Sequence, residues 1–178
     1  MTDSPISPPI PADEGDRKVL ADVREHGWHV VKVPDENESP GWAFSIGLHH
    51  SFSHPEIIIV GLPLDVMHRI INTIGSLIRT GRRFEHGVRS TNVVDDYTCA
   101  FSTVAPCWYA PLLGYAIWFY RGSHFPVLQC EWPDRDGRLP DDPRFNASLL
   151  HAQPLLKHSD AKSARMTAVL DSLQNDPL

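Results

Sequence analysis

The sequence predicts a single α+β domain on a largely antiparallel sheet, and three observations carry that prediction. Short runs rich in β-branched and aromatic residues follow one another with turn-forming segments between them. One long apolar stripe with helical spacing interrupts them near the middle of the chain. The 178 residues, 42% hydrophobic and 21% charged, suit one ordinary globular core without disulfide or metal staples. The strict strand–helix alternation of a doubly wound parallel sheet is absent.

Residues 1–12 are rich in proline and show no periodicity, which predicts a disordered leader. From Asp16, the apolar Val19, Leu20 and Val23 share one helical face, and Gly27 supplies a C-terminal stop. Trp28 to Val33 and Trp42 to Leu48 read as strands flanking the polar loop PDENESPG. Glu56 to Leu62 is an unbroken apolar run, as expected of a strand covered on both faces. Met67, Ile70, Ile71, Ile74, Leu77 and Ile78 then form the stripe of an amphipathic helix, with Pro63 at its start and Gly81 at its end. His68, Arg69, Asn72, Thr73 and Ser76 fall on the opposite side. VRSTNVV and YTCAFSTV, joined at Asp95-Asp96, predict a β-hairpin. WYAPLLGYAIWFYRG predicts a second helix with Pro111 in its first turn, and FPVLQCEW a late strand closed by the turn-rich PDRDGRLPDDP. The domain extends over residues 13–158. Met166, Val169, Leu170 and Leu173 mark a short last helix within the tail, 159–178.

The net charge of −6, with lysines and arginines scattered, disfavours a nucleic-acid partner. Three widely spaced cysteines, Cys99, Cys107 and Cys130, argue for reduced thiols rather than a disulfide framework. No signal peptide or membrane span is legible, so the expected location is the cytoplasm and no membrane partner is expected.

Several short motifs occur in a fixed order: GW at Gly27-Trp28, PGWAFSIGL from Pro40, HPEIIIVGL from His54, LQCEWPDRDG from Leu128, and QP at Gln153-Pro154. Together they resemble the bacterial family known as domain of unknown function 4262, from about Gly27 to Pro154. The resemblance implies no particular activity. The chain departs from the family pattern at Phe44-Ser45, where Tyr-Thr is usual, at Ser53, where glycine is common, and at Asp141, where Trp often follows the proline. His49 and His50 fall outside the pattern, whereas His54, Pro55 and Glu56 match it.

Candidate chemistry centres on HHSFSHPE. Pro55 disfavours helical backbone at His54. If extension continues into the strand, His54 and Glu56 share a face with Cα atoms roughly 6.5–7 Å apart, as an acid–base pair requires. The plainer alternative, favoured on frequency, is that His54 caps a loop and Glu56 pairs with an arginine. A metal site would need His49, His50, His54 and Glu56 to converge, and their spacing matches no established zinc motif. On the late strand, alternation puts Gln129 with Glu131 on one face, and Trp132 is held extended by Pro133. Asp134 to Gly137 resembles a calcium loop but lacks its bidentate glutamate, so a turn is expected. Arg82 and Arg83 suit the negative end of the long helix, and offer a phosphate or carboxylate clamp as the alternative.

The functional expectation is a small-molecule or cofactor site where IGL, HPE and LQCEW meet. His54 and Glu56 are its catalytic candidates, with Ser45, Gly47, Gln129, Trp132, Arg82 and Arg83 as ligand-binding residues and no assigned metal. The order of strands and long helix is similar to flavin-binding split barrels, which are often dimeric, so flavin is the cofactor to test and a homodimer the assembly to test. A non-catalytic interaction module and a metal-assisted hydrolase stand as alternatives. No nucleophile elbow, P-loop or dinucleotide fingerprint is present.

Overall fold

A computed structural model describes residues 7–36 and 39–158. The expected terminal helix over 166–173 lies outside these residues. Of the Pro-rich leader, residues 7–12 carry no helix or strand, yet Pro9 is buried and Arg121 donates to the Pro8 carbonyl.

Helix α1 (Glu14–His26) begins where Asp13 accepts the Asp16 amide at 2.8 Å, an N-cap satisfying one of the free amides of the first turn. It ends at Gly27, whose left-handed φ of 96° lets the chain turn back immediately into a strand. Strands β1 (His29–Val33) and β2 (Trp42–Ile46) pair antiparallel. A five-residue helix, α2 (Leu48–Phe52), leads to β3 (Glu56–Val60), which pairs antiparallel with β2. The long helix α3 (Leu64–Arg79) follows, then the hairpin of β4 (Arg89–Val94) and β5 (Tyr97–Thr103). The expected second helix is divided: α4 (Tyr109–Leu112) and α5 (Gly114–Tyr120) flank Leu113, which leaves helical geometry at φ −124°, ψ 28°. Strand β6 (Val127–Glu131) enters beside β3 in the one parallel pairing of the sheet.

The strand order is β1-β2-β3-β6-β5-β4. β1 and β4 are therefore edges, and the sheet stays open rather than closing as a split barrel. The topological argument for flavin loses its footing there. Helices cover both faces. Met67, Ile71 and Ile74 of α3 pack with Ala43, Ile57 and Ile59 on one side. Val19 and Val23 of α1, with Ala116, Phe119 and Tyr120 of α5, pack with Phe44, Ile46 and Ile58 on the other. This explains the unbroken EIIIV run: every residue of β3 is buried, on alternating faces. Each apolar side chain of the run, Ile57 to Val60, contributes roughly 1.5–3 kcal/mol through removal from water. The aromatic residues Trp108, Tyr109, Phe119 and Tyr120 belong to this core, with Tyr115 and Trp118 at its margin.

Candidate functional site

Glu56 is fully buried at the start of β3, and four donors converge on its carboxylate. The amides of Gly47 and His49 donate to Oε1 at 2.9 and 3.0 Å, the Tyr120 hydroxyl donates to the same oxygen, and the Ser45 hydroxyl donates to Oε2. Ser45 Oγ in turn accepts the Ile57 amide at 2.9 Å. The carboxylate thus fastens the exit of β2 and the first turn of α2 to α5. Burial, followed by the adjacent Glu56 charge, pushes the Tyr120 hydroxyl far above its ordinary range, so it remains a donor.

His54 does not join this group. It precedes β3, and its ring lies edge-on to Phe84, in the layer beneath α3, whereas Glu56 turns towards Tyr120 in the opposite layer. The expectation of one shared face is corrected: alternation holds within the strand, and His54 lies outside it. Its Nδ1 is 2.8 Å from the Pro55 carbonyl, and its Nε2 accepts the Phe84 amide at 2.9 Å. These partners require a neutral ring protonated at Nδ1. Burial also pushes its pKa below the usual histidine range.

The remaining sequence candidates are likewise engaged with the chain itself. Gln129 donates to the Pro154 carbonyl and accepts the Leu156 amide, both at 2.8 Å. Trp132 exchanges hydrogen bonds with the Gln153 amide group and donates its indole N–H to the Val60 carbonyl. Arg83 donates to the carbonyls of Phe52 and Ser53 behind α2, and Arg82 is exposed at the surface. Ser45, Gly47 and Glu56 are brought together. His54 and Arg83 join the α2–β3 turn to residues 83–84, Gln129 and Trp132 join the end of β6 to residues 153–156, and the expected common hollow is not formed among the described residues. Asp134 accepts the amides of Asp136, Arg138 and Asn146, closing a turn as the sequence predicts. Among the described residues, no group of three or more His, Cys, Asp or Glu side chains is placed to hold a metal ion.

An open polar site lies elsewhere. A cleft of about 550 Å³ is bordered by α1, the edge strand β1 and the exposed side of α3. Because Gly27 reverses the chain, the last turns of α1 back onto β1, and Asp22 Oδ2 meets His29 Nδ1 at 2.7 Å. Lys18 also donates to Asp22, at 3.0 Å. Burial raises the Asp22 pKa, but the hydrogen bonds from His29 and Lys18 outweigh it and hold the carboxyl below its usual range. A neutral His29 ring that donates Nδ1–H to Asp22 presents Nε2 as an acceptor, and Nε2 makes no hydrogen bond among the described residues.

The opposite wall comes from α3. His68, Asn72, Ser76 and Arg79 line the cleft from successive turns of the helix. Asn72 accepts the Trp28 indole N–H at 2.9 Å and approaches His68 with its amide nitrogen. Arg79 lies over the Trp28 ring, 5.6 Å from its centroid. Gly75 makes this packing possible: a Cβ there would lie 2.5 Å from the indole. Burial, then the nearby Lys32 charge, lowers the His68 pKa, favouring a neutral second imidazole.

Sequence reasoning placed His68, Asn72 and Ser76 on the polar side of the long helix but gave them no role. It passed over Asp22, His29 and Arg79. The available signal was the i, i+4, i+8 stripe His68, Asn72, Ser76 facing a strand that carries His29 and Lys32.

The chain belongs to the family described as domain of unknown function (DUF4262), which it matches over residues 22–146. That span contains Asp22, His29, His68 and Arg79, as well as Glu56 and Tyr120. No curated protein and no solved structure matches the chain.

Proposed function

We propose that this member of the DUF4262 family binds a small molecule in the cleft between α1, β1 and α3 and moves a proton on it. The observation that carries the reading is the Asp22–His29 pair at 2.7 Å in the wall of an open cleft. In this arrangement Asp22 fixes the tautomer and orientation of His29, and Nε2 accepts the proton. His68 supplies a second imidazole across the cleft, suited to exchange a hydrogen bond with the substrate. Trp28, packed against Gly75, forms a rigid apolar wall, which limits the reorganisation that binding requires. Small-molecule binding therefore remains the proposed function, and its location moves from the HPE and LQCEW strands to the outer edge of the sheet.

The test is a ligand screen by thermal shift on wild type, His29→Gln and Asp22→Asn, followed by turnover assays on the compounds that bind. The expected result is ligand stabilisation in wild type, with proton-transfer turnover lost on either substitution while the unliganded Tm is retained. Full turnover in His29→Gln would overturn the catalytic role. Ligand-induced NMR shifts confined to residues remote from Trp28 and His68 would overturn the location.

A further inference from the structure

We infer that the molecule taken by this cleft carries an oxyanion, a phosphate or carboxylate group, held between Lys32, Arg79 and the ring of His68. This deepens the acid–base reading and rests on its placement of the site.

The charge balance of the lining points this way. Lys18, Lys32 and Arg79 border the cleft against a single lining carboxylate, Asp22. Asp22 is already committed, since it accepts from both Lys18 and His29. The excess positive charge is therefore carried by Lys32 and Arg79, neither of which forms an ion pair among the described residues. Without a carboxylate partner among the described residues, these two cations on one cleft give it a local field that attracts anions.

The geometry adds selectivity to the charge. Arg79 Cζ lies 5.6 Å from the centroid of the Trp28 ring, and its guanidinium forms no ion pair among the described residues. A guanidinium presents paired donors in the fork spacing of a carboxylate or phosphate. Lys32 enters from β1 as a point charge, and the imidazole of His68 supplies a directional donor from α3. An oxyanion there is held by residues of β1 and α3, whereas Asp22 and Lys18 belong to the α1 lining and are paired with each other. The reactive part of the molecule is the part that meets His29 Nε2, and the anion serves as the handle.

The experiment follows Trp28 indole and histidine ring NMR signals during titration with inorganic phosphate, acetate and chloride at constant ionic strength. The expected result is saturable movement of the Trp28 and His68 signals with phosphate or acetate, and none with chloride. The stronger of the two anions identifies the phosphate or carboxylate class. Lys32→Ala and Arg79→Ala should each weaken the binding at least tenfold, whereas Arg79→Lys should restore part of it. His29→Gln should retain anion affinity, separating this inference from the proton-transfer role. Equal, non-saturating shifts with all three anions would overturn the inference, as would undiminished affinity in the Lys32 and Arg79 variants. Loss of turnover in His29→Gln beside unchanged anion indifference would leave the acid–base reading standing and remove this one.

Discussion

The polar group around Glu56 and the cleft beside His29 use similar residue types and differ in what their atoms have left to offer. At Glu56, a carboxylate, a tyrosine and a serine are sealed between helix and sheet, with each carboxylate oxygen accepting from the chain. At His29, a carboxylate and an imidazole meet at the sheet edge beside an open cleft, and the second ring nitrogen has no hydrogen-bond partner among the described residues. Saturation turns polar groups into structural joints, because the cost of burying them is offset only when their bonds stay made. An atom left over beside an opening is what a ligand can use.

The largest effect that tests this contrast should come from Glu56→Ala. It strands the Ser45 and Tyr120 hydroxyls and two amides in a buried site, and should cost about 3–5 kcal/mol, lowering Tm by on the order of 10 °C. Chemical denaturation measures this loss, and a change under about 1 kcal/mol would break the structural reading.

Next comes His54→Phe, which leaves the Phe84 amide and Pro55 carbonyl without their ring partners and should cost about 2–4 kcal/mol. A pH series sharpens it. The folded-state pKa of His54 lies below the ordinary value of about 6.5. Its stabilising effect is therefore fully present above that pH and declines as pH falls, since the unfolded chain takes up the proton first. The variant should lose that part of the acid dependence.

Gly75→Ala should cost about 1–3 kcal/mol despite the better helix propensity of alanine, because the new methyl displaces the Trp28 ring. Ligand affinity should fall with it, as read by thermal shift. The smallest stability effect belongs to Asp22→Asn: less than about 1 kcal/mol for a partly exposed pair. Yet this variant should abolish the proton-transfer turnover assigned to the cleft. A large loss of stability with turnover retained would exchange the roles of the two regions.

Local signals made much of the fold legible. The apolar stripe of α3 is read correctly because its buried positions recur with the helical period, and Gly27 stops α1 through its own backbone preference, while the start of α1 at Glu14 lies ahead of the expected Asp16. Helix α2 went unread, since five residues are too few to show a period, and contacts from Glu56 and Arg83 hold it in place. The break at Leu113 also escaped the sequence reading, which treated the surrounding apolar run as one helix.

The candidate site was less legible for a related reason. The HPE motif was read as a candidate open site, whereas the structure buries His54 and Glu56, and the partners reaching each atom come from distant segments: Tyr120 for Glu56, Phe84 for His54, Pro154 and Leu156 for Gln129. The sequence by itself determined the strands, α1 and α3, and that β3 is covered on both faces, because backbone preference and hydrophobic period act over a few neighbouring residues. Only the tertiary structure decided which polar atoms are consumed and which stay free. That outcome follows from packing between elements far apart in the chain, where α1, β1 and α3 bring Asp22, His29 and His68 to one cleft.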